Sequence, residues 1–238
     1  VSSFAPFLSL RAGEQVRMNL SYMKSNVKLV AIGSGISMGF LGNSHFGLED
    51  ISIIRSLPNI VIVNPCDCVE VYKAIEAFSN YSGPAYIRLT GVAGCPVVHN
   101  EDYKFELGKF HILKEGKDVL ILTYGSMCSV SLKAASHLSA EKVSVSVVNI
   151  HTLRPIDDRL PELISNYKYV LVVEEHSSIG GLNSIISEKL IQLNLRPKVY
   201  KYISLPSSYL TSGNYEQLLK TYKLTTENII ETVKSIFN

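Results

Sequence analysis

The feature that most constrains the fold is an alternation of short, continuously apolar segments with longer amphipathic ones. The apolar segments are rich in β-branched residues, and their unbroken apolar character is typical of parallel strands covered on both faces. This order predicts α/β architecture, with doubly wound, mostly parallel sheets. The predicted strands are 27–32, 60–63, 85–89, 119–123, 143–148, 169–173 and 198–203, and the predicted helices are 11–23, 49–55, 68–79, 126–139, 157–165, 182–193, 214–222 and 226–236.

A turn-rich and then polar stretch near the middle of the chain indicates a boundary between two domains. Residues 91–96 read GVAGCP, and residues 115–117 read EGK just before a new predicted strand. We expect a first domain over 1–98, a linker over 99–115 carrying one edge strand within 104–113, and a second domain over 116–238. The first domain holds about three predicted strands, which would leave a sheet edge uncovered. We therefore expect residues before Val1 in the natural protein.

Composition and charge exclude several classes of function. Apolar residues make up 46% of the 238 residues and charged residues 18%, which allows a packed core. The net charge is +2 with scattered Lys and Arg, so we expect no nucleic-acid or membrane partner. No apolar run approaches the roughly 20 residues of a membrane span. The four cysteines include no C-x-x-C pair, which favours free thiols, no metal site and a reducing compartment, the cytoplasm.

Four groups of segments carry a resemblance to a known family. They are FAPFLSLRAGEQVR at 4–17; GFLGNSHFGLEDI at 39–51 with RSLPN at 55–59; NPCD at 64–67 with GPAYIRL at 83–89; and VEEHSSIGGL at 173–182 with SGNYEQLL at 212–219. Together they resemble the C-terminal half of transketolases over nearly the whole chain. The chain is most similar to the smaller C-terminal subunit of two-subunit transketolases. Relatives of that family include deoxyxylulose phosphate synthase and the β subunits of 2-oxoacid dehydrogenases.

The resemblance implies a pyrimidine-binding domain followed by a transketolase C-terminal domain, with thiamine diphosphate bound between two chains. This chain would hold the aminopyrimidine end of the cofactor. The diphosphate and a Mg²⁺ ion would be held by a partner, the diphosphate-binding N-terminal subunit, because the Gly-Asp-Gly motif followed by Asn is missing here. A homodimer through the pyrimidine domains, within an α₂β₂ heterotetramer, is also implied.

Three residues are candidates for contact with the cofactor and substrate. The spacing of Phe4 and Phe7 alone fits two core aromatics, but the resemblance implies the aromatic wall against the aminopyrimidine ring. His45 lies in a Gly-rich loop, where the family places a histidine that faces the thiazolium and the substrate. An imidazole can hold either protonation state at neutral pH and can therefore protonate a substrate oxygen. The alternative for His45 is a loop histidine that is hydrogen-bonded to a backbone carbonyl.

Departures from the family pattern bear on the substrate. Phe40 and Leu41 replace two acidic residues, Gly33 replaces an earlier histidine, and the phosphate-binding arginine would fall near Gly91. An apolar or unphosphorylated acceptor would suit Phe40 and Leu41. Arg88 either contacts a substrate anion or pairs within the chain.

A further departure concerns the catalytic glutamate of the family. It would precede Val1, and Glu14 is no substitute because it lies on the following helix. The glutamates and histidine at 174–176 end a predicted strand, where ligands gather in open sheets, but we interpret them as structural or interface residues.

The resemblance implies a transferase that moves a two-carbon ketol unit and is catalytic only with its diphosphate-binding partner. Two alternatives stay open: another thiamine diphosphate reaction, such as 2-oxoacid decarboxylation or a deoxyxylulose-type condensation, or a non-catalytic, degenerate subunit. The lost acidic residues of the 39–47 loop favour the last of these.

Overall fold

The computed structural model describes residues 1–90, 95–99 and 103–237, so the predicted linker 99–115 falls partly outside it. Within these residues the chain forms two sheets of five strands each. The strands are β1 Ser2–Phe4, β2 Lys28–Ile32, β3 Val61–Val63, β4 Ala85–Arg88, β5 His111–Lys114, β6 Val119–Thr123, β7 Val145–Asn149, β8 Thr152–Arg154, β9 Tyr169–Ser177 and β10 Val199–Leu205. The predicted fold, two mostly parallel α/β sheets, is confirmed.

The first sheet has the order β1-β2-β4-β3-β8 and is parallel except at one edge. That edge is β8, which pairs antiparallel with β3 although it comes from the second half of the chain. The sequence predicted only the three inner strands. The two outer strands have three residues each, which is too short to give a clear apolar run, and their pairing is decided by tertiary packing.

The second sheet has the order β10-β9-β6-β7-β5, with β5 antiparallel at the edge. Every residue of β6 and β7 is buried, including the polar Ser146 and Asn149 of β7, as expected for parallel strands covered on both faces. The edge strand predicted within 104–113 is β5, which covers only the end of that range and extends to Lys114.

The α-helices cover the faces of both sheets, and none in the described part of the chain has the length and apolar character needed to cross a membrane. The chain at and just before the predicted helix 11–23 forms instead a π-helical segment Phe7–Arg11, the single turn α1 (Gly13–Gln15) and a π-helical segment Val16–Tyr22. The α-helices are α1 Gly13–Gln15, α2 Asp50–Ser56, α3 Cys68–Ser79, α4 Met127–Ala140, α5 Leu160–Ser165, α6 Leu182–Gln192, α7 Tyr215–Thr221 and α8 Thr226–Lys234.

The two sheets share one hydrophobic core. Ile62 and Tyr86 of the first sheet belong to the same cluster of buried side chains as Leu120 and Val172 of the second. Burial of this apolar surface favours a fixed arrangement of the two domains. The shared core therefore sets where the loops at the ends of the first sheet meet the second domain.

Candidate functional site

Phe4, Phe7 and His45 lie together at one end of the first sheet, and we call them the aromatic cluster. The ring centroids of Phe4 and Phe7 are 5.6 Å apart, and the His45 ring lies 5.1 Å from each. All three side chains are half-buried, and neither phenylalanine belongs to a hydrophobic core cluster. The structure therefore brings together the three residues that the sequence singled out, on a surface open to a ligand.

Strand pairing and backbone conformation build this cluster. Phe4 ends β1, where it pairs with Ile32 at the end of β2, so the site lies at the carboxyl ends of parallel strands. Gly33 follows with a φ of 68°, and a Cβ there would lie 3.1 Å from Phe4 Cδ1. The Arg11 guanidinium carbon lies 3.9 Å from the centroid of the Phe7 ring, at cation–π distance.

The His45 ring is fixed by its neighbours in the loop. Ser44 Oγ lies 3.0 Å from His45 Nδ1, and the backbone N–H of His45 donates to the Gly42 carbonyl at 2.9 Å. Gly42 breaks the 3₁₀ segment Gly39–Ser44 with a φ of 67°. Phe40 and Leu41, in the same segment, are 79% and 48% exposed and are thus open to contact with another molecule.

Arg88 is buried and paired within the chain. Its side chain is 1% exposed, and Nε donates to Asp50 Oδ2 at 2.8 Å. Nη2 donates to the carbonyl oxygens of Gly47 and Glu175 at 3.0 and 3.1 Å. Of the two alternatives that the sequence left open, the structure gives pairing within the chain.

The Glu174–His176 segment lies in the interface between the domains. Glu174 accepts hydrogen bonds from the backbone N–H groups of Leu182 and Asn183 at 2.7 and 3.0 Å, and burial raises the pKa of its carboxyl to about 7. His176 Nδ1 lies 2.9 Å from the Ser177 carbonyl oxygen, and burial lowers the pKa of the His176 imidazole to about 4. These contacts fit the structural role that the sequence indicated.

A second buried polar cluster surrounds Glu70, which was not singled out from the sequence. Glu70 accepts from Tyr103 Oη at 2.5 Å and from Asn149 Nδ2 at 2.9 Å, so it joins the two halves of the chain. Burial alone would raise the pKa of Glu70, but the nearby rings of His99 and His151 and the hydrogen bonds from Tyr103 and Asn149 lower it to about 2. A sequence signal existed only for Asp67, since an aspartate before an apolar helical pattern indicates an N-cap.

Cys66, Asp67 and His99 are the one group of possible metal ligands in the described residues, with their donor atoms within 4.8 Å of one another. The two carboxylate oxygens of Asp67 already accept hydrogen bonds from the backbone N–H groups of Glu70, Val98 and His99, at 2.7 to 2.9 Å. Asp67 therefore acts as the N-cap of α3, and its carboxylate oxygens are already bonded to backbone N–H groups.

Two other positions were singled out as departures from the family pattern. Glu14 is exposed and pairs with Arg17 at 2.7 Å, so it does not reach the aromatic cluster. Gly91, where the family's phosphate-binding arginine would fall, lies outside the described residues.

Comparison with known proteins identifies both domains. The family described as "Transketolase, pyrimidine binding domain" matches residues 1–92, and "Transketolase, C-terminal domain" matches residues 108–229. The first range contains four strands of the first sheet, and the second contains all five strands of the second sheet together with β8.

Two curated relatives and one solved structure cover nearly the whole chain. "Putative transketolase C-terminal section" of Methanocaldococcus jannaschii is 36% identical over 98% of this chain and 73% of that protein. One of the subunits of an apulose-4-phosphate transketolase from Actinobacillus succinogenes is 33% identical over 98% of this chain and 75% of its own length. The solved structure "Split gene transketolase, inactive beta4 tetramer" is 35% identical over 98% of this chain and 74% of that chain, with a TM-score of 0.84. The chain therefore belongs to the transketolase family, with the pyrimidine-binding and C-terminal domains that the C-terminal subunits of split transketolases carry.

Proposed function

We propose that this chain is the pyrimidine-binding component of a thiamine diphosphate-dependent enzyme that transfers a two-carbon ketol unit. The observation that carries the proposal is the aromatic cluster, whose rings lie 5.1 to 5.6 Å apart outside the hydrophobic cores. Phe4 and Phe7 are half-buried and lie outside the hydrophobic core clusters, so they offer flat apolar faces to a planar heterocycle.

The aromatic cluster fits the aminopyrimidine end of thiamine diphosphate. Phe4 and Phe7 would hold the ring, since stacked and edge-to-face aromatic pairs have centroid distances of about 4.5–7 Å. When bound, the cofactor supplies the chemistry that breaks and forms the carbon–carbon bond. The chain would contribute a dry, oriented site for the ring.

His45 would act on the substrate at the edge of this site. With Ser44 Oγ at Nδ1, the ring is oriented and Nε2 is the nitrogen left to face a substrate oxygen. From this position the imidazole would act on that oxygen as a general acid or base. The His45 ring contacts both phenylalanine rings, so substrate and cofactor would meet at its edge.

Phe40 and Leu41 support an acceptor that is apolar or unphosphorylated. Both side chains are apolar and exposed in the loop that carries His45, so neither offers a charge partner to an anionic sugar. The Arg88 guanidinium is buried and paired with the Asp50 carboxylate, so it would not bind the phosphate of a substrate.

A partner would hold the diphosphate and a Mg²⁺ ion. Support comes from the relatives, which are described as a subunit and a C-terminal section of transketolases. A homodimer through the pyrimidine domains, with two diphosphate-binding N-terminal subunits, would complete an α₂β₂ heterotetramer.

The test is reconstitution of the full-length chain, as encoded by its gene, with the diphosphate-binding subunit from the same organism. Ketol transfer is measured from a ketose donor to a panel of aldehyde acceptors, with pyruvate as the alternative donor. We expect transfer from the ketose, with unphosphorylated acceptors preferred. Release of CO₂ from pyruvate without ketol transfer would favour the alternative chemistry, and inactivity with every donor would favour a non-catalytic subunit.

A variant of His45 tests its part in this activity. His45→Gln should lower kcat by roughly 10²-fold or more, because a glutamine amide cannot exchange a proton with the substrate. His137→Gln, an exposed histidine of α4, is the control and should retain wild-type kcat.

A further inference from the structure

The loop that carries His45 is packed on the second domain. Its residues Ile36, Phe46 and Leu48 are buried in the same hydrophobic cluster as Ile121 and Leu205 of the second sheet. Phe46, directly after His45, is 1% exposed. The backbone on one side of His45 is therefore anchored in the core of the other domain.

Asn43, on the other side of His45, makes a reciprocal pair of hydrogen bonds with the second domain. Its Nδ2 donates to the Leu210 carbonyl at 2.7 Å, and the backbone N–H of Leu210 donates to Asn43 Oδ1 at 2.8 Å. The side-chain nitrogen and oxygen of Asn43 therefore both form hydrogen bonds with the backbone of one residue, Leu210. The side chain is exposed overall, so these two bonds rather than burial fix its rotamer.

Two further contacts bring the loop against the second domain. The backbone N–H of Ile36 donates to Glu175 Oε1 at 2.9 Å, and the N–H of Gly213 donates to the Gly39 carbonyl at 3.0 Å. A Cβ at Gly35 would lie 2.2 Å from Glu175 Oε1, and a Cβ at Gly39 would lie 2.1 Å from the Gly213 carbonyl oxygen. Only glycine permits this approach at either position.

The first domain holds the loop at its base and at Ser37, whose Oγ donates to the Thr90 carbonyl at 2.6 Å. Gly35 and Gly47 exchange two backbone hydrogen bonds of 2.9 Å, and Arg88 donates to the Gly47 carbonyl. Between these points, Phe40 and Leu41 are exposed and Gly42 interrupts the helical segment. The backbone on both sides of His45 is therefore held by the second domain, while the His45 ring contacts Phe4 and Phe7 of the first.

We infer that the transketolase C-terminal domain positions His45, and that Asn43 is the positioning residue through which it does so. The inference rests on the proposed function of His45. Asn43 does not touch the aromatic cluster. It acts through the backbone two residues away, by holding the turn from which the imidazole projects.

The experiment compares Asn43→Ala and Asn43→Asp with the wild-type full chain. Aspartate is isosteric with asparagine, so it removes the donor to Leu210 and sets a carboxylate oxygen against the carbonyl without leaving a cavity. Asn80→Ala is the control, since Asn80 is an exposed asparagine at the end of α3 whose amide makes a single bond of 3.5 Å, to Glu76. Circular dichroism and thermal unfolding establish that each variant is folded.

Two readouts report the loop without activity. Hydrogen exchange of the peptide 36–47 should become roughly tenfold faster in both Asn43 variants and stay unchanged in Asn80→Ala. The His45 Cε1–Hε1 resonance should shift and broaden in the same two variants. A merely structural role for Asn43 would leave the His45 resonance in place.

A third readout uses the complex reconstituted with the diphosphate-binding subunit. We expect kcat to fall about tenfold in both Asn43 variants with the Kd for thiamine diphosphate unchanged, because the phenylalanine rings are untouched. Wild-type hydrogen exchange and an unshifted His45 resonance in both variants would overturn the inference. Inactivity of the wild-type complex with every donor would refute the proposed function but not the positioning of His45 by Asn43. Hydrogen exchange and the His45 resonance test that positioning without any activity.

Discussion

At the scale of single residues, the charged groups that matter most to stability are hidden from solvent. Asp50 and Arg88 are both 1% exposed and lie 2.8 Å apart, with Tyr86 Oη donating to the same carboxylate at 2.9 Å. Burial raises the pKa of the Tyr86 phenol, so it remains a donor at any ordinary pH. A buried charge that keeps its partner is tolerated, whereas one that loses its partner is costly.

The Arg88–Asp50 pair gives a prediction on stability. Arg88→Met should lower the free energy of unfolding by about 3–5 kcal/mol, because it leaves the Asp50 carboxylate buried without its cation. Denaturant unfolding of the isolated chain measures the change. Arg17→Met, which removes the cation of an exposed pair, should have little effect. The double variant Arg88→Met/Asp50→Leu should recover part of the loss, and a double variant as unstable as the sum of the singles would contradict this account.

At the scale of elements, the sequence predicts strands well where they are fully buried and poorly where they are short. The bounds of β6 and α3 match the predicted ranges, because burial on both faces and a clear helical period leave a strong local pattern. β1 and β8 were missed, since three residues carry little pattern and their pairing partners lie far along the chain. The predicted helix 11–23 is broken into π-helical pieces, which propensity alone does not reveal.

The same limits apply to the site. Phe4, Phe7 and His45 could be named from their motif, but their mutual distances depend on the β1–β2 pairing and on the loop packed against the second domain. Arg88 could be placed at a strand end, but its partner Asp50 is 38 residues away in sequence and is decided by tertiary structure. The sequence thus predicted which residues form the cluster, and the fold decides how they meet.

The N-cap of α3 gives a prediction at this scale. Asp67 accepts from the backbone N–H of Glu70 and also from those of Val98 and His99. Asp67→Ala should therefore lower the free energy of unfolding by about 2–3 kcal/mol, more than an ordinary cap. Thr225→Ala, at an α8 cap that satisfies one N–H at 3.4 Å, should cost only about 0.5–1 kcal/mol in the same unfolding experiment. Equal losses would show that the two extra hydrogen bonds of Asp67 contribute nothing.

At the scale of the whole molecule, the two domains are joined through buried titratable groups as well as a shared core. His151 lies between β7 and β8, where the chain crosses from the second sheet to the first, and its carbonyl accepts from the Asn64 N–H at 2.8 Å. Burial lowers the pKa of His151 to about 4, from an ordinary value of 6.5. The junction is therefore sensitive to acid.

This junction gives a prediction on pH dependence. Between pH 6.5 and 4 the unfolded chain binds a proton at His151 that the folded chain does not, so stability from this group is full above 6.5 and falls as the pH drops. Burial raises the pKa of the Glu174 and Glu175 carboxyls, so these two groups instead favour the folded chain as the pH falls. The difference in unfolding free energy between wild type and His151→Gln therefore isolates the contribution of His151. Between about pH 7 and pH 5, wild type should lose about 2 kcal/mol of unfolding free energy relative to His151→Gln in urea titrations. If the difference in unfolding free energy between wild type and His151→Gln does not change with pH, His151 is not the group responsible.

The central claim is that Phe4 and Phe7 hold the aminopyrimidine ring while a partner holds the diphosphate. The most direct measurement is the Kd of thiamine diphosphate for the reconstituted complex by isothermal titration calorimetry, with wild type compared with Phe7→Ala. The account predicts a Kd roughly two- to twelvefold higher for Phe7→Ala, since an aromatic contact contributes about 0.5–1.5 kcal/mol. Phe237→Ala, which removes a ring that contacts only Tyr169 among the aromatic side chains described, should keep the wild-type Kd. The same Kd for Phe7→Ala and wild type would contradict the account.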